Sequence, residues 1–128
     1  KADFKGVLKL AEEKDVSFVE AERQLFGCDH PEVGGAMARE WGFPEEVRDA
    51  IERHHTTDLQ DSHPVLDTVI VSNLVAKTMA TGLGAEGLNF EVDLGVRDRL
   101  KLTFNRFCQI CAAVETRMEH VRNAYGIR

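Results

Sequence analysis

With 128 residues the chain is long enough to bury one proper core, and 43% hydrophobic with 30% charged residues excludes a disordered segment. No apolar run reaches the ~18 residues a membrane span needs; the longest, Val65 to Met79, is interrupted by Asp67, Ser72, Asn73 and Lys77. The formal net charge of −6, from 22 acidic against 16 basic side chains, argues against a nucleic-acid partner, because such binding relies on clustered Lys and Arg releasing counterions.

The first helix is expected where Phe4, Val7, Leu8 and Ala11 follow the i, i+3, i+4, i+7 spacing of an amphipathic face. A second starts behind Ser17 as N-cap with Glu20 three residues on, a capping-box pattern, and ends near Phe26-Gly27. A third runs from Pro31, favoured at the first helical position, to Trp41, with Gly42 as the stop. Gly34 and Gly35 inside it cost up to ~1 kcal/mol each relative to Ala, which is tolerable where another helix must come close. Trp41 reads as a core anchor, and Asp29 as an N-cap or loop acid.

Pro44 opens a fourth helix, with Glu45 and Glu46 in its positive first turn. Val47, Ala50 and Ile51 form its inner stripe, and it runs into His54-His55. Residues Thr56 to His63 read as a polar loop. Pro64 starts a long helix with Leu66, Val69, Ile70, Leu74 and Met79 facing inward and Asp67 facing solvent. Thr81 to Asn89, with three glycines, is a flexible connection. A short helix near Asp93 to Leu100 and a last one capped by Thr103 follow, the latter with Phe104, Phe107, Cys108, Cys111, Val114 and Met118 on one side and its end near Tyr125-Gly126.

These elements describe an all-α, compact single-domain bundle of about six or seven helices. No linker, repeat or low-complexity tract divides residues 1–128. Arg97, Arg99, Lys101 and Arg106 make one local basic stretch, diluted by Asp93 and Asp98, and read as a solvated helix face. Three cysteines argue against a disulfide framework and fit a reducing compartment. Cys108 and Cys111 form a CxxC inside an apolar helix, without the helix N-terminus that activates a redox thiol or a second pair of zinc ligands, and read as small buried residues. With nothing resembling a signal peptide, the expected location is cytoplasmic. The start at Lys1 without Met suggests a fragment or a processed product.

The segment Phe26 to His55 carries the chemistry. His30-Pro31-Glu32-Val33-Gly34 opens a helix, Trp41-Gly42-Phe43-Pro44 turns it, and Ala50-Ile51 precedes His54-His55. In that order the segment resembles the C-terminal half of the HDOD domain, a relative of the HD and HD-GYP metal phosphohydrolases. Val69 to Ala76, with Ser72-Asn73, is similar to the family's helix carrying an Ala-Asn or Ser-Asn pair. The resemblance implies an HD-domain-like fold, a bacterial signal-transduction role beside other signalling domains or proteins, and part of the domain lying before Lys1.

For metal chemistry the candidate ligands are His30, His54 and His55. Adjacent residues of a regular helix diverge by ~100°, so His54 and His55 converge only where the helix ends. Two anions of an HD centre are missing. The His-Asp doublet is absent from the 128 residues, and Asn73 stands where the resemblance implies an Asp. Hard ions such as Mg²⁺ want anionic oxygens. The expectation is therefore a vestigial site, no cofactor, and a non-catalytic regulatory module without membrane or nucleic-acid partners. The alternative is a metal-dependent phosphohydrolase, with its remaining ligands upstream or with a histidine-only zinc site. His63 and His120 are expected to be plain surface residues.

Overall fold

The computed structural model describes residues 4–80 and 92–126. Among them the chain forms seven α-helices and no strand: α1 (Phe4–Lys14), α2 (Phe18–Phe26), α3 (His30–Glu40), α4 (Glu45–Arg53), α5 (Pro64–Ala80), α6 (Leu94–Leu100) and α7 (Phe104–Tyr125). The all-α expectation holds; the connection expected at Thr81 to Asn89 lies outside the described residues. The chain divides into two compact units, Lys1–His55 with α1 to α4 and Thr56–Arg128 with α5 to α7.

In the first unit the local sequence sets each helix end. Ser17 Oγ accepts from the Glu20 amide at 3.1 Å, and Gly27, at φ 76°, closes α2 in the left-handed conformation that glycine adopts without strain. Asp29 Oδ1 accepts from the Glu32 amide at 2.8 Å and caps α3, while Arg23 neutralises its buried carboxylate at 2.6 Å. Helices α3 and α4 pack closely because α3 has no side chain to hold them apart. A Cβ on Gly34 would stand 2.8 Å from Ile51 Cγ2, and one on Gly35 would overlap the Glu52 side chain. An Arg39–Glu52 ion pair ties the same two helices.

The reading of Trp41 as a core anchor is corrected by its exposure. Trp41 ends α3 as its C-cap, but its ring is 64% exposed and lies edge-on to Phe43 at 6.1 Å. The buried positions on α3 and α4 are Pro31, Gly35, Ala38 and Ala50, all small residues, so the two helices pack together without the indole.

In the second unit, Val71, Val75, Val92, Val96, Leu102 and Phe107 form the buried core, with Leu74, Met79, Ile110, Cys111 and Val114 packed against it. Leu66 is fully buried as expected, yet the row along α5 passes through Asp67, Val71, Val75 and Thr78, while Val69 and Ile70 are half-buried. Helix α5 is apolar nearly all round, so its periodicity points in no single direction. Cys108 is exposed and Cys111 half-buried, which corrects the expectation that both are buried. His63 is no plain surface residue either, since its Nδ1 accepts from the Leu66 amide at 3.4 Å near the start of α5.

The largest correction is Asp67, which is 0% exposed. Arg99 donates to both of its oxygens, Nε at 2.6 Å and Nη2 at 2.8 Å, and the Ser62 hydroxyl donates at 2.6 Å. Arg99 thus serves a buried carboxylate rather than a solvated basic face. A bidentate guanidinium fits a carboxylate plane, and here it clamps α6 onto α5.

Arg99's hydrogen bonds, assisted by Ser62, hold the Asp67 carboxyl below its ordinary value against the opposing effect of burial. The folded state therefore favours the ionised form. The resulting stability is complete above the unfolded carboxylate pKa of ~4 and is lost as pH falls through the lowered folded value. Asp67→Asn is expected to cost about 2–3 kcal/mol at neutral pH, because Arg99 loses its only buried counter-charge in this clamp. Denaturant melts followed by helical circular dichroism at pH 7 and in acid should show this loss, with a weaker acid dependence than in the parent chain.

Candidate metal centre

His30 is the first residue of α3, and His54 and His55 follow the last turn of α4. The Asp29 cap fixes where α3 begins, and the glycine-permitted contact of α3 with α4 fixes the distance between them. At His54 (φ −65°, ψ −7°) the backbone leaves the helix. The adjacent rings can then face the same way, with centroids 4.2 Å apart. The end of α4 carries the partial negative charge of unpaired carbonyls, which favours a cation nearby.

The three rings meet through their Nε2 atoms. His30 Nε2 lies 3.3 Å from His54 Nε2 and 3.1 Å from His55 Nε2, and one ligand atom from each ring lies within 4.8 Å of the others. The opposite ring edges explain the orientation. His30 Nδ1 is 2.6 Å from Glu22 Oε2, and the same oxygen accepts from the His30 backbone amide at 3.0 Å. His54 Nδ1 is 2.8 Å from the Ile51 carbonyl oxygen.

A carboxylate and a carbonyl are acceptors only, so both Nδ1 atoms must carry the proton. In the neutral ring Nε2 is then an unprotonated lone pair. Two such lone pairs facing each other at 3.3 Å repel unless a proton or a metal ion sits between them.

The donor set fits a borderline transition metal. Zn–N bonds of ~2.0–2.1 Å in a tetrahedron put neighbouring nitrogens roughly 3.3 Å apart, close to the two spacings here. A carboxylate that takes the far N–H of a ligating histidine fixes its tautomer and raises its basicity. A hard ion fits poorly, because the cluster itself is all nitrogen and Glu22 faces the far edge of His30.

The three histidines singled out in the sequence are thus brought together. Asn73 lies within α5, in the other unit. Glu22 was missed. It precedes His30 by eight residues and lies in a different helix, so no one-helix spacing joins them. The only hint was Gly27, whose left-handed turn folds the chain back.

Residues 1–57 match the family model of the HDOD domain. The first unit, which contains the three histidines, lies within that match, whereas the Val69 to Ala76 part of the resemblance lies beyond it. No curated protein and no solved structure matches the chain. No helix among the described residues is long and apolar enough to cross a membrane.

Glu22→Gln retains the shape of the side chain but removes the charge behind His30. It is expected to weaken zinc binding by about 10–100-fold, while His54→Ala removes a ligand and costs more. Competition titrations against a chromogenic zinc chelator would measure both.

Proposed function

We propose that this chain is a non-catalytic regulatory module of bacterial signal transduction, cytoplasmic and acting on other signalling domains or proteins. The observation that carries the reading is the make-up of the cluster: among the described residues it consists of three imidazoles with no carboxylate. An HD-type phosphohydrolase needs anionic oxygens to hold a hard ion beside a phosphoryl group. This chain retains the nitrogen ligands and their supporting acceptors, and the HDOD match covers that part of it. A borderline transition metal held here would stiffen the junction of α3 and α4.

A second reading is favoured by the same geometry. Three imidazoles and one open position also make up a catalytic zinc site. When bound, zinc would supply a polarised water. Glu22 would orient His30 from behind, and Ile51 would orient His54.

The two readings separate in one experiment. The metal content of the full-length protein is measured, and a panel of phosphate monoesters, diesters and cyclic nucleotides is tested for hydrolysis. The regulatory reading expects no turnover above background, whether or not metal is bound. Turnover that follows metal stoichiometry and disappears in His54→Ala would establish the hydrolase instead.

A further inference from the structure

We propose that the C-terminal half of α7 is a self-association surface, which pairs antiparallel with the same helix of a second copy of this chain. Phe107, Cys111, Val114, Met118, Val121 and Tyr125 are spaced alternately by four and three residues, the repeat of a coiled-coil seam. The first half of that seam is already used. Phe107 is buried, and Cys111 and Val114 pack against the core of the second unit. The helix then continues through Tyr125, and along this stretch the same seam is exposed within its unit: Met118 is 41%, Val121 44% and Tyr125 77% exposed. A helix that needed only to cover its own core would have no reason to extend the apolar repeat past it.

Charge beside the seam selects the occupant and its direction. With Met118 and Tyr125 at a positions and Val121 at d, the flanking residues are Glu115 and Arg122 at e and Arg117 and Ala124 at g. A parallel pair brings g against e′, which sets Arg117 against Arg122 of the second copy, twice. An antiparallel pair brings e against e′ and g against g′. Met118 then packs on Val121 of the second copy. Glu115 and Arg122 of opposite copies span the same two layers, and Arg117 faces only Ala124. Twofold symmetry makes each favourable pair occur twice, as in any isologous interface. The seam is short, so the dimer is weak, with a Kd on the order of 100 µM.

Sedimentation equilibrium of this chain from ~10 µM to ~1 mM, bracketing that Kd, tests the proposal. The expected result is a reversible monomer–dimer equilibrium. Val121→Asp, at an exposed position that leaves the fold intact by circular dichroism, raises Kd at least about tenfold by putting a charge into both central layers. Glu115→Arg or Arg122→Glu alone turns two attractions into two repulsions and weakens the dimer by about tenfold, and the double exchange restores it to within about threefold. A monomer throughout the range overturns the proposal, as does a dimer indifferent to these changes. Tighter association of Arg122→Glu would mean parallel pairing through Arg117 and would overturn the antiparallel arrangement.

Discussion

The Glu22 carboxylate and the Ile51 carbonyl each take the Nδ1 proton of an imidazole, at 2.6 and 2.8 Å. A neutral ring held from behind in this way presents its Nε2 lone pair forward. Because His30 and His54 are both so held and their Nε2 atoms stand 3.3 Å apart, the protein maintains a point where like dipoles face one another. Such an arrangement is unfavourable by itself and becomes favourable with a positive species at its centre. The chemistry proposed for the first unit follows from those two acceptors.

The rest of that unit keeps the rings in place. Asp29, buried and neutralised by Arg23, sets the first turn of α3 and hence the position of His30. Gly34 and Gly35 allow α4 to approach until Ile51 and Glu52 touch the α3 backbone, which sets how far His54 reaches. Small residues at these positions serve geometry at some cost in helix propensity, about 1 kcal/mol for each glycine relative to alanine. In the second unit a different polar device does comparable work. Asp67, with Arg99 and Ser62, makes a buried and saturated network that fixes α6 on α5, and saturation is what makes a buried charge tolerable.

Much of this was legible in the sequence, for identifiable reasons. Ser17, Asp29, Gly27 and Thr103 act within a few residues of themselves, so the helix ends they set could be read directly. The three histidines were legible because His30 opens one helix and His54-His55 closes the next. The misreadings involve partners far along the chain. Asp67 looked solvent-facing because its partner Arg99 lies 32 residues away. Trp41 looked like an anchor because its size suggested burial, whereas the buried positions of α3 and α4 are taken by small residues such as Gly35, Ala38 and Ala50. Glu22 left no sign beyond the turn at Gly27, and with it went the distinction between a relic cluster and a set of rings held in one tautomer.

The central claim is that the three Nε2 atoms form a single cation site. Long-range proton–nitrogen NMR spectra of the histidines, recorded as zinc is added to the metal-free chain, test it most directly. Before zinc is added, His30 and His54 should show the Nδ1–H tautomer. At one equivalent, the Nε2 resonances of His30, His54 and His55 should all shift together and then stop. An Nε2–H tautomer on His54, or a zinc response confined to the cysteines or to fewer than three of these rings, would contradict the account.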